Sequence, residues 1–125
     1  MPRILVVDDS PTMRKMIMAA LRPLQAEFGE AGNGLEAIEQ LALKRYQAMT
    51  LDLNMPDMHG LEVLRYVRQL ASYEDMPVVV ISTRGDEASL QQALQLGANR
   101  YLVKPFQPAE LLETLQTLLP DITRS

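Results

Sequence analysis

Six polar residues stand at or just beyond the ends of short aliphatic runs. Asp8 and Asp9 follow residues 4–7, Asp52 closes residues 47–51, Ser82 and Thr83 follow residues 78–81, and Lys104 follows residues 101–103. Three carboxylates gathered within a few ångströms would force at least one to stay protonated, because like charges strongly raise a pKa. A divalent cation removes that conflict. Mg2+ takes oxygen ligands, keeps several waters, and is satisfied by two carboxylates and a backbone carbonyl from a nearby loop. One such ion together with Lys104 neutralises the three acids and leaves room for a phosphoryl group of about −1.5 to −2 charge. In such a site the strand-end carboxylate, Asp52, is the nucleophile, and the cation and the amine neutralise the transferring oxygens, since positioning and electrostatics dominate phosphoryl transfer.

Only a fold that brings several strand ends to one rim can assemble these residues. Arg3 to Val7 is a branched aliphatic run stopped by Asp8-Asp9-Ser10-Pro11, which is turn and helix-start chemistry. From Thr12 onward Met13, Met16, Ile17, Ala20, Leu21 and Leu24 recur at helical spacing, with Arg14, Lys15 and Arg22 opposite, Met18 exposed, and Pro23 ending or kinking the helix. Residues 26–31 form a second strand, weakened by Gly29 and two glutamates and with Phe28 as its firmly buried residue, which suits an edge. Gly32-Asn33-Gly34 is a turn before a helix whose inner face carries Leu35, Ile38, Leu41 and Ala42. The third strand ends at Asp52, and Pro56 and Gly60 bracket a loop before Leu61, Leu64 and Val67 begin a third helix. Residues 78–81 are apolar on both faces, as in a strand covered by helices on both sides. A helix over about 86–96 stops at Gly97, and residues 101–103 supply a fifth strand. Pro108 opens a last helix with Leu111, Leu112, Leu115, Leu118 and Leu119 inward, leaving Pro120 to Ser125 as a short tail.

Five strand and helix pairs in alternation predict an α/β, doubly wound, five-stranded parallel sheet with five helices on its two faces. Ligands of such sheets bind beyond the carboxyl ends of the strands, where the strand order switches. The 125 residues suffice for one domain, taken as residues 1–125 with a core of about 3–119. The formal net charge of −4 repels phosphate backbones and anionic lipid, so no direct nucleic-acid or membrane partner is expected. With no cysteine and one histidine, disulfides, thiol catalysis, cysteine-ligated zinc and most histidine-based metal sites are excluded. The aliphatic runs are too short to span a bilayer and no charged-then-apolar leader opens the chain, so the expected location is cytoplasmic.

The runs Leu5-Val6-Val7-Asp8-Asp9-Ser10, Leu51-Asp52-Leu53-Asn54-Met55-Pro56 and Val103-Lys104-Pro105-Phe106 resemble the receiver domains of response regulators, particularly the chemotaxis receiver, and the likeness covers nearly the whole chain. The resemblance implies the flavodoxin-like strand order 2-1-3-4-5, for which the chemotaxis receiver is a standard illustration. It implies that Asp52 accepts phosphate from a phosphohistidine on a sensor histidine kinase or a histidine phosphotransfer protein, in a two-component phosphorelay, and catalyses only its own phosphorylation and dephosphorylation. It further implies that Asp9 ligates Mg2+ directly, Asp8 directly or through water, Asp52 as the acceptor carboxylate, and Asn54 through its backbone carbonyl. Lys104 would pair with the phosphoryl oxygens, Ser82 would be the switch hydroxyl and Tyr101 the switch aromatic. Output would pass to a downstream effector through the face of the fourth helix, fifth strand and fifth helix. Three positions depart from the usual pattern: His59 replaces an aspartate before Gly60, Thr83 is bulkier than the usual alanine, and Arg84 is long and charged. Thr83 and Arg84 stand where they would restrict access of water or donor.

Plainer readings exist for each residue. Asp8 or Asp9 can cap the helix near Pro11, Asp57 is a rival acceptor in a loop without a metal partner, and His59 reads as an exposed loop residue. Gln91, Gln92 and Gln95 read as a solvated face. Two rival functions share parts of the pattern. A phosphatase of the haloacid dehalogenase class uses a strand-end aspartate, magnesium and lysine, but needs a second aspartate where this chain has Asn54. A flavodoxin-like module binding flavin or nucleotide needs a phosphate-cradling loop, which Asp8-Asp9 would oppose.

Overall fold

Five short strands and five helices alternate along the chain, and the runs 3–7 and 78–82 are the ones rich in branched residues. The structure is a computed structural model that describes residues 2–119. In chain order the elements are β1 (Arg3–Val7), α1 (Pro11–Ala20), β2 (Glu27–Ala31), α2 (Gly34–Leu43), β3 (Ala48–Leu51), α3 (Gly60–Gln69), β4 (Val78–Ser82), α4 (Glu87–Gln95), β5 (Arg100–Val103) and α5 (Pro108–Leu118). Short 3-10 turns follow α1 at Arg22–Leu24 and α3 at Ala71–Tyr73. The tail expected from Pro120 to Ser125 lies outside the described residues.

All strands are parallel, in the order β2-β1-β3-β4-β5. The order switches between β1 and β3, because the chain runs outward to β2 before crossing to the other side. Alternation along the strands divides the core into two layers. Leu5, Val7, Met49, Leu51, Val78 and Val80 meet Ala37, Leu41, Val63, Val67 and Ala93 of α2, α3 and α4. Ile4, Val6, Ala48, Val79 and Ile81 meet Ile17 of α1, Leu21, and Leu111 and Leu115 of α5. β3 and β4 are buried along their whole length, whereas β2 and β5 are edges with exposed positions.

Several inward assignments differ from the periodicity. Met16 is 52% exposed, while Met18, expected outside, is half-buried against the α1/α5 layer, because the buried stripe of α1 is centred on Ile17. Leu35 is 58% exposed and Ala42 is exposed; α2 instead buries Gly34, Ala37 and Leu41, with Ile38 half-buried. On β2 the fully buried residue is Ala31 and Phe28 is only half-covered, as befits an edge strand. Within α5, Leu111 and Leu115 are buried while Leu112, Leu118 and Leu119 are half-covered.

Candidate functional site

The sheet ladders extend past the strands and fix the backbone of the polar residues. The Asp8 N–H donates to the Ala31 carbonyl at 3.0 Å, the Asp52 N–H to the Val7 carbonyl at 3.0 Å, and the Lys104 N–H to the Ser82 carbonyl at 2.8 Å. These three residues are therefore each held by the strand next door, and their side chains converge on one rim. Carboxylate oxygens of Asp8, Asp9 and Asp52 all lie within 4.8 Å of one another. Asp8 and Asp52 are buried and Asp9 is exposed. Lys104 Nζ lies 2.7 Å from Asp8 Oδ2 and 3.7 Å from Asp52 Oδ1. Its first partner is thus Asp8, with Asp52 next.

Burial pushes the Asp52 carboxyl above the ordinary aspartate range; the Lys104 ammonium and the Asn54 N–H oppose this, and Asp8 and Asp9 reinforce it. An all-oxygen donor set with surplus negative charge matches a hard divalent cation such as Mg2+. The bland capping reading does not hold for the acid pair. Ser10 is the cap of α1, its Oγ accepting the Met13 N–H at 3.1 Å, while Asp8 Oδ1 accepts the Ser10 N–H at 2.9 Å. Asp9 is left facing solvent beside the other two acids.

Of the remaining expected residues, Ser82 and Tyr101 lie on β4 and β5, Asn54 and Arg84 in the loops after β3 and β4, and the three glutamines on α4. Ser82 is fully buried at the end of β4, and its Oγ accepts the Arg84 N–H at 3.2 Å. Tyr101 is half-buried, with its hydroxyl donating to the Arg84 carbonyl at 2.6 Å and burial raising its pKa. Asn54 is exposed; its N–H donates to Asp52 Oδ1 at 3.3 Å and its amide reaches Thr83 Oγ1 at 3.5 Å. Arg84 is exposed and lies 3.5 Å from Asp86 Oδ1. Gln91, Gln92 and Gln95 are exposed, as read.

Three residues have roles that sequence reasoning missed. Arg14 donates to the Asp8 carbonyl at 2.6 Å and to Glu30 at 2.9 Å, bracing the acid turn from α1. Asp57, the rival acceptor, has its two carboxylate oxygens bonded to the Gly34 and Leu35 N–H groups at 3.0 and 3.1 Å. His59 is half-buried and caps α3, its Nδ1 accepting the Leu61 N–H at 3.1 Å. Its place directly before the helical run was the available signal.

Acids at a topological switch point, beside a lysine, define an α/β module built for oxyanion and cation chemistry. The sequence model described as the response regulator receiver domain matches residues 4–116, and the chain belongs to that family. A chemotaxis protein CheY homolog of Campylobacter jejuni is 42% identical over 119 residues, covering 94% of this chain and 92% of the relative. CheY1 of Helicobacter pylori is 41% identical over 119 residues, covering 94% and 96%. The solved structure of Vibrio cholerae chemotaxis protein CheY4, crystallized at low pH, superposes with a TM-score of 0.89 at 35% identity, covering 95% of this chain and 99% of that one. The chain is a signalling module of two-component type, and its acidic cluster fits the phosphorylation site of a receiver. Among the described residues no helix is long and apolar enough to cross a membrane.

Proposed function

We propose that Asp52 is the phosphoacceptor, in a site completed by Mg2+ on Asp8, Asp9, Asp52 and the Asn54 backbone carbonyl. The convergence of three acids within 4.8 Å of one another, with Lys104 beside two of them, is the observation that carries this reading. When bound, the cation neutralises charge on the transferring oxygens and on the acids themselves. An Asp52 carboxylate oxygen forms the bond to phosphorus. The bond from phosphorus to the donor's imidazole nitrogen breaks, and its electron pair stays on that nitrogen. Lys104 brings a second positive charge to the phosphoryl oxygens, and its ammonium already lies within 4 Å of both buried acids. The product is an acyl phosphate on Asp52, which water returns to the carboxylate.

Ser82 and Tyr101 carry the switch. Ser82 Oγ holds the Arg84 N–H and Tyr101 holds the Arg84 carbonyl, so both grip one peptide segment at the start of the β4–α4 loop. Drawing the Ser82 hydroxyl toward a phosphoryl oxygen releases that segment and lets the ring turn inward, altering the α4-β5-α5 face read by an effector. The donor is a sensor histidine kinase or histidine phosphotransfer protein. The chain works as one receiver domain over residues 1–125 in the cytoplasm, with no activity beyond its own phosphorylation and dephosphorylation, and without nucleic-acid or membrane partners. Incubation with acetyl phosphate and Mg2+ followed by intact mass measurement tests the reading. One phosphoryl group should add to the unaltered chain and none to Asp52→Ala; an adduct that persists in the variant removes Asp52 from its role.

A further inference from the structure

The loop between β3 and α3, residues 52–59, is tied at its base and again near its middle. At the base the Gly60 N–H donates to the Leu53 carbonyl at 2.9 Å, and the Asn54 N–H donates to Asp52 Oδ1. Near the middle, Asp57 leaves the loop and grips the first turn of α2 through both oxygens. Met58 packs beside it, where a Cβ added to Gly34 would come within 2.6 Å of Met58 Cβ. The Gly34 N–H is the leading influence holding the exposed Asp57 carboxyl below the ordinary range, so the clamp is made by a charged acceptor.

The first turn of α2 is held both by its own cap and by the loop. Asn33 Oδ1 accepts the Glu36 N–H at 2.9 Å and Glu36 Oε1 accepts the Gly32 N–H at 2.7 Å, while the Gly34 and Leu35 N–H groups, which have no partner within the helix, are taken by Asp57. The two Asp57 bonds therefore satisfy the helix end and at the same time tie the loop to it. That loop contains Asn54, the backbone ligand of the proposed cation.

We infer that Asp57 is a positioning residue for the metal site: it anchors the β3–α3 loop to α2 and so presets the Asn54 carbonyl for Mg2+. The inference rests on the metal reading of Asp8, Asp9 and Asp52 given above. An anchored loop has little freedom left to lose when an ion binds, whereas a released loop must be ordered at that moment. Outer contacts that orient ligands alter metal affinity by about 10-fold or more when removed.

Calorimetric titration of the full chain with MgCl2 tests this. Asp57→Ala should bind about 10-fold more weakly, and Asp57→Asn, which keeps an oxygen for one of the two amides, should fall between it and the unaltered protein. Asn33→Ala removes the cap of the same helix end without touching the loop and should bind as the unaltered protein does. Equal weakening by Asn33→Ala and Asp57→Ala would reduce the effect to helix stability and overturn the inference, as would unchanged affinity in both Asp57 variants. Should Asp57→Ala not fold, Asp57→Asn alone carries the comparison. Asp9→Asn separates the two layers of the argument: binding that survives it, or absence of binding by the unaltered chain, refutes the metal reading itself. Loss in Asp9→Asn with no change in Asp57→Asn or Asp57→Ala refutes the positioning role alone.

Discussion

At Asp52 burial and neighbours pull in opposite directions. Loss of solvent raises its pKa, Lys104 lowers it, and Asp8 and Asp9 raise it again, with the net effect upward. A carboxyl whose folded pKa exceeds its unfolded value binds more protons in the folded state, so its contribution to stability falls as pH rises through that interval and is a net cost at neutral pH. Lys104 stands closer to Asp8 than to Asp52, so it keeps a partner if the Asp52 charge is removed. Asp52→Asn, which retains an oxygen for the Asn54 N–H, should therefore raise stability in metal-free buffer at neutral pH by on the order of 1 kcal/mol. Urea unfolding with and without the substitution measures it. A less stable variant under those conditions means that Lys104 outweighs burial.

Positions at the ends of elements were legible in the sequence, and the faces of helices less so. Asp8, Asp9, Asp52, Ser82 and Lys104 each terminate an aliphatic run, and strands of one parallel sheet deliver their ends to a common rim. Periodicity marks a helix without choosing which neighbouring stripe meets the sheet, so Met16 and Leu35 were placed inside and emerge exposed. On α2 the small residues Gly34 and Ala37 face inward, Gly34 lying against Met58 of a loop whose approach no local pattern announces. Asp57 and Arg14 were hidden for the same reason, since their partners lie 23 and 16 residues away in Gly34 and Glu30. Gly60 shows how tightly one element end is set. A Cβ there would press on the Asp52 carbonyl and come within 2.6 Å of Leu53 Cα, both backbone atoms that cannot swing aside. Gly60→Ala should destabilise the fold by about 2 kcal/mol. Gly85→Ala, whose added Cβ would make ordinary contacts of 3.5 and 3.6 Å with Val103, should stay within about 0.5 kcal/mol of the unaltered protein. Equal losses in the two variants, read from urea midpoints, would show that the α3 approach yields.

Across the whole molecule, acid groups of opposite behaviour share one pH range. Asp57 and Asp86 accept backbone N–H groups at the starts of α2 and α4, which holds their pKa values low. Their stabilisation is present above the unfolded pKa and is lost as pH falls through the folded one. Asp52, raised, runs the other way, so the pH profile of the metal-free protein mixes the two signs. Mg2+ held as proposed would isolate the site from this background, because its ligands must be deprotonated and only the folded chain gathers them. At a concentration about 100 times Kd it should stabilise the protein by roughly 2.7 kcal/mol at neutral pH. That increment should shrink as pH falls toward about 4, and the shrinkage should begin above the ordinary carboxylate range because Asp52 is the raised member of the set. Melting curves with and without MgCl2 across this range measure the difference directly. The background from Asp57 and Asp86 is common to both curves and cancels. An increment that stays constant on acidification would place the ion away from the three carboxylates, since no arrangement of Mg2+ on them escapes competition with protons.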